Sequence, residues 1–192
     1  MSYSYASDSN AERFPGPDPY APLGSHPEFP VTSTDLDDGA AISPAQAAPS
    51  NTSPQLAWSD LPEGTRSLAV TCFDPDAPTG SGFWHWAVFN IPASVTALPT
   101  GAGETPGLEV LADAAGDAAA RIVSLRGDSG QRTYYGPQPP QGHGPHRYLF
   151  AVHALDVDEL DIDPDASPAT LGFNLYFHTL GRGVLWGWFE TT

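Results

Sequence analysis

Hydrophobic and polar positions alternate along residues 67–74, SLAVTCFD, so that Leu68, Val70 and Cys72 share one face and Ala69, Thr71 and Phe73 the other. A period of two in a run of this composition predicts a strand. Two further runs have the same character: WHWAVFNI at 84–91, which follows a turn rich in Pro and Gly, and RYLFAVHALDV at 147–157. Helical periodicity is almost absent before residue 165, so short strands joined by Pro/Gly turns predict an antiparallel β fold. One helix is expected near the C-terminus. Ser167 can cap it, Pro168 can take its first position, and Leu171, Leu175 and His178 recur at helical spacing, giving a helix over 168–180 that Gly181 and Gly183 stop. VLWGWFE, 184–190, reads as a final strand, and residues 100–132 as a long irregular excursion with a short strand near Ile122 to Leu125. Pro-rich residues 39–55 predict a loop-like crossing with short strands at most. Residues 1–27 lack periodicity and predict an extended or mobile arm ahead of a single β domain over 28–192.

Composition narrows the field of functions. The chain has 192 residues, 40% of them apolar, with five Trp and nine Phe, which is ample for one core. The net charge is −16 and the seven cationic side chains are all Arg. Such a surface repels phosphate backbones and anionic leaflets, so nucleic acid is excluded as a partner and any membrane contact is local. A single cysteine, Cys72, lies in an apolar run and reads as a small buried hydrophobe. No signal-peptide pattern or membrane-length apolar stretch is present, and the expectation is a cytoplasmic protein without integral membrane contact.

Two segments carry the chemistry: DPDAPTGSGFWHW at 74–86 and YYGPQPPQGHGPHRY at 134–148. With 67–74 and 84–91 as antiparallel neighbours, Asp74 leaves one strand where His85 enters the next, and His146 immediately precedes the third. Prolines restrict these loops and glycines permit tight turns, so Asp74, His85 and His146 are expected to converge on a preformed pocket. That chemistry suits an anion or a metal. Asp76 reads as a turn residue or as the buried partner of Arg147, and His143, between glycines, as exposed. Two His and a carboxylate also match the ligands of mononuclear iron sites, which keeps a metal-dependent hydrolase or oxygenase as the alternative. No GxSxG elbow is present to support a nucleophilic hydrolase.

The DPDAP, FWHW and GPxPPxGxGPHRY elements resemble the phosphatidylethanolamine-binding protein family, in its bacterial Raf kinase inhibitor-like branch. The similarity extends from Phe29 to Glu190 and includes TSPQLAW at 52–58 and ASPATLGFN at 166–174. The resemblance implies a mostly β fold, with a large antiparallel sheet packed with a smaller sheet and one C-terminal helix. It further implies a cavity at one end of the sheet that takes small anions and phospholipid headgroups, without catalytic residues, metal or cofactor. By motif position the ligand-binding residues are Asp74, Pro78, His85, Gly136, Pro139, Pro140, His146 and Tyr148; where the family places Gly before the Pro pair, this chain has Gln138. Backbone N–H groups near Gly136 and Gln138 are expected to form an anion nest, with Trp84 or Trp86 and Tyr148 as aromatic walls. Because relatives inhibit kinases or proteases, a partner of either class is a further expectation. Aromatic residues near 184–189 and the N-terminal arm make a homodimer reasonable.

Overall fold

The computed structural model describes residues 13–192. In chain order the strands are β1 (Val31–Thr32), β2 (Ala40–Ala41), β3 (Leu56–Trp58), β4 (Ser67–Asp74), β5 (Phe83–Pro92), β6 (Ala97–Leu98), β7 (Val123–Ser124), β8 (His146–Leu155) and β9 (Thr179–Phe189). Helical turn α1 (Ala112–Ala115) precedes β7, and helix α2 (Pro168–His178) lies between β8 and β9. Six strands form one sheet in the order β2-β9-β8-β4-β5-β7, and β1-β3-β6 form a smaller one. Pairing is antiparallel throughout except between β2 and β9, which run parallel. The expected arrangement of a large and a small sheet with a C-terminal helix is the one observed.

The alternation in β4 places its residues as the pattern dictates. Leu68, Val70 and Cys72 join Tyr148, Phe150 and Val152 of β8 in the main core, which Leu56, Trp58 and Leu98 of the small sheet close. On the other face of the large sheet, Ala69, Ala87 and Phe89 are covered by Leu171 and Leu175 of α2. The remainder of that outer face is covered by the N-terminal segment, whose Tyr20 packs on Leu149 and Ala151. Residues 13–29 thus form a strap across β8 and β9. The part of the expected arm before Arg13 lies outside the described residues.

Several boundaries differ from the sequence reading. Helix α2 begins as predicted, with the Ser167 hydroxyl accepting from the Thr170 N–H at 3.3 Å, but ends at His178. Gly181 and Gly183 belong to β9. The reason is close approach: a Cβ on Gly183 would meet the Phe29 carbonyl at 2.6 Å and the Val31 side chain at 2.4 Å, so these glycines let the chain cross the strand. The excursion at 100–132 holds successive short helical turns from Pro106 to Arg121 that bury Leu108 and Leu111. Trp186 and Trp188, proposed to mediate a homodimer, are half-covered by the strap's Phe14, whose ring lies 6.2 and 6.3 Å from theirs. The exposed aromatics lie instead on α2, at Phe173, Tyr176 and Phe177. Among the described residues no helix is long and apolar enough to cross a membrane.

Candidate functional site

The two Pro/Gly-rich segments do converge, at the end of the large sheet where β4 finishes and β5 and β8 begin. Between them lies a cavity of ≈ 290 Å³ whose lining includes Asp74, Pro78, His85, Pro139, Pro140, His146 and Tyr148. Seven of the eight expected site residues are therefore brought together. His146 is the first residue of β8 rather than its predecessor, and its Nδ1 lies 2.7 Å from Asp74 Oδ2. The other Asp74 oxygen accepts from the Asp76 N–H at 2.8 Å, closing the Asp-Pro-Asp turn. Both oxygens of this buried carboxylate are thereby used, and the His146 ring is fixed in orientation.

His85 reaches the cavity through a β-bulge. Cys72 pairs with Trp86 and Phe73 with Trp84, so His85 is an extra residue on β5 opposite an uninterrupted β4. Strict alternation from Trp86 would turn His85 outward and Trp84 inward. The bulge reverses both, sending Trp84 to the outer face against Phe73, with ring centroids 4.4 Å apart. Trp86 stays in the core, so neither tryptophan walls the cavity. Its aromatic walls are Phe83, Tyr135 and Tyr148, the first two of which sequence reasoning missed because the bulge has no signature in the apolar pattern. The His85 ring stacks on Tyr135 at 6.0 Å and meets Tyr148 edge-on at 5.0 Å.

These contacts decide the charge of the site. His85 Nδ1 lies 2.6 Å from the Tyr135 carbonyl, which can only accept, so Nδ1 carries the proton and Nε2 keeps its lone pair. Burial lowers the His85 pKa, outweighing the Tyr135 carbonyl and Asp74, which favour the cation. His85 is thus neutral, although a carboxylate lies nearby. Burial, reinforced by Asp74, raises the Tyr148 pKa far above the ordinary phenol value, so its hydroxyl remains an O–H donor. That hydroxyl is buried and has no hydrogen-bond partner of good geometry.

Gly136 does not line the cavity. Its N–H donates to Asn51 Oδ1 at 2.8 Å, and a Cβ there would sit 2.4 Å from the Gln46 carbonyl. The glycine serves close backbone packing, and its N–H is not free for an anion nest. Gln138 does line the cavity, with Oε1 accepting from the Tyr135 hydroxyl at 2.6 Å. His143 is half-buried rather than exposed, and its Nδ1 lies 2.7 Å from His146 Nε2. Its spacing of three residues from His146 within one turn-rich loop was the signal that could have found it. Beyond the cavity, the second Asp of the turn, Asp76, forms the expected buried pair with Arg147: Oδ2 accepts from Nε at 2.8 Å and Oδ1 from an Nη group at 2.9 Å. Among the described residues no group of three or more His, Cys, Asp or Glu is placed to hold a metal ion.

A family model described as phosphatidylethanolamine-binding protein matches residues 32–190, a span that includes both site segments. The chain belongs to the phosphatidylethanolamine-binding protein family. YbhB of Escherichia coli is 48% identical over 140 residues, covering 73% of this chain and 82% of that protein. Among solved structures, YbcL of Escherichia coli, described as a new member of the mammalian family, superposes with a TM-score of 0.75 at 38% identity, covering 86% of this chain and 99% of that one. A family homologue from Chlamydia trachomatis matches with a TM-score of 0.69 at 26% identity, over 86% of this chain and 99% of that one.

Proposed function

We propose that this family member is a non-catalytic binding protein whose cavity takes a phospholipid headgroup or a similar small zwitterion. The observation that carries this reading is the Tyr148 hydroxyl, a buried donor without a partner on the wall of a cavity that also holds His146. An orphaned buried donor costs free energy unless something supplies an acceptor. A phosphate oxygen is such an acceptor. Neutral His85 supplies an acceptor, Nε2, on the same cavity, which suits an ammonium or a protonated phosphate oxygen. A ligand with both a phosphate and an amine uses the Tyr148 donor and the His85 acceptor together. The surface charge of −16 further favours a zwitterion over a dianion.

Regulation of a kinase or protease rests on family resemblance alone, and no feature of the surface selects either partner. The metal-dependent alternative is disfavoured because Asp74 and His146 are already bonded to each other. Isothermal titration with phosphoethanolamine tests the headgroup reading, using Tyr148→Phe beside the wild-type protein. Loss of the hydroxyl should weaken binding about tenfold while changing stability by less than about 1 kcal/mol, since its O–H has no acceptor to lose and its oxygen only a marginal contact with the Gln138 N–H. Unaltered affinity in the variant, or stoichiometric iron or zinc in the purified protein, overturns the reading.

A further inference from the structure

Beneath the strap, on the other side of β8 and β9, lies a second and larger cavity of ≈ 610 Å³. Tyr20, Phe29, Leu149 and Trp186 give it apolar walls, and His26 and Arg182 give it nitrogen donors. Nothing in the headgroup reading involves this space.

Arg182 is the unusual group. Its Nε points at His153 Nδ1 at 3.4 Å, and its guanidinium carbon sits 4.5 Å from the centroid of the Tyr20 ring. Those contacts occupy one edge and one face. Among the described residues its terminal NH groups meet no carboxylate, whereas Arg66, Arg132 and Arg147 each pair with an Asp. In a chain with 23 acidic residues, a half-buried Arg without a carboxylate is out of keeping with its surroundings. Asp18 is near, but its Oδ1 accepts from the Tyr20 N–H at 2.8 Å. The second observation is independent: His26 Nε2 is buried, lines the same cavity in company with Arg182, and has no hydrogen-bond partner among the described residues. One wall thus carries a buried nitrogen without a partner, His26 Nε2, beside a guanidinium that lacks a counter-charge among the described residues.

We propose that this cavity binds an organic carboxylate, with the anionic head on Arg182 and His26 and an apolar body along Tyr20, Phe29, Leu149 and Trp186. The planar guanidinium edge matches a carboxylate better than it matches a compact dianion. Asp18 and Glu28 in the cavity lining repel a second negative charge, which selects a monoanion. The volume falls in the range of small-ligand sites, roughly 300–1,000 Å³.

The test is a titration of the full-length protein with octanoate, followed by amide chemical shifts, with 1-octanol as the uncharged analogue. Shifts should map to residues 24–29, 147–149 and 182–186. Removing the ligand's charge should weaken binding about tenfold or more, and Arg182→Gln should do the same. Because Arg182 also supports Tyr20, His26→Leu provides a second variant that leaves that stack intact; it should weaken octanoate about threefold. The proposal is overturned by any of three results: no shifts up to about 20 mM octanoate, shifts confined to residues 74–85 and 135–148, or octanol binding as well as octanoate. Unchanged octanoate affinity in both variants overturns it equally.

Discussion

The Asp-Pro-Asp turn and the start of β8 form two side-chain pairs side by side, and they differ in what surrounds them. Asp74 holds His146, and that pair faces an open cavity. Asp76 holds Arg147, whose remaining guanidinium NH group donates to the Gly16 and Pro17 carbonyls at 2.7 and 3.1 Å. Adjacent residues of a strand point to opposite faces, so one pair serves the cavity and its neighbour serves the strap. The lesson concerns satisfaction. Around Arg147 all three guanidinium nitrogens donate within the protein, as structural pairs require. Around His146 the Tyr148 hydroxyl and the Nε2 edge of His85 remain for an outside group.

The comparison breaks most sharply at Asp76. Its carboxylate suffers from burial, yet the Arg147 hydrogen bonds and charge overcome this and lower its pKa. Asp76→Ala should strand a buried guanidinium and cost about 3–5 kcal/mol in urea unfolding, loosening strap and cavity together. If it costs under about 1 kcal/mol, the closed pair is not structural. A second contrast sets core against site. Trp86→Ala should cost about 3–5 kcal/mol, against about 1–3 kcal/mol for His146→Ala, while only the latter should abolish phosphoethanolamine binding through direct loss of a contact. Equal stability losses, or intact binding in the His146 variant, break that contrast.

A smaller effect depends on pH and on the strap side alone. Burial, helped by Arg182 and His26, holds the His153 pKa down to about 3 from an ordinary 6.5. A histidine kept neutral in the folded state contributes stability that is fully present above the unfolded pKa. Between pH 6.5 and about 3 the unfolded chain binds the extra proton, so stability falls as pH falls through that window. The loss should reach on the order of 1–3 kcal/mol, and His153→Gln should flatten this acid limb in pH-dependent thermal unfolding. An unchanged acid limb in the variant removes His153 from the account.

Much of this was legible along the chain. The period-two runs marked β4, β5 and β8 to within a residue or two, because burial of one face against the other sheet enforces that period. Ser167 and Pro168 marked the start of α2 through local capping, which needs no tertiary partner. The end of α2 was not legible, since Gly181 and Gly183 read as stops until the crossing of Phe29 gave them another purpose. The motif segments marked seven of the eight expected cavity residues. Gly136 was drawn in by its position among them, although its own requirement is contact with the backbone at Gln46.

The sequence by itself determined the sheet's main strands, the stiff turns and the candidate chemistry of Asp74, His85 and His146, since these follow from local periodicity, restricted backbone and residue type. Tertiary structure alone decided which face each side chain met. The bulge at His85 exchanged its direction with that of Trp84, the Tyr135 carbonyl fixed its tautomer, and burial kept it neutral. The strap over β9 likewise left Arg182 without a carboxylate among the described residues. Orientation, desolvation and hydrogen-bond partners depend on residues distant in the chain, and no local pattern encodes them.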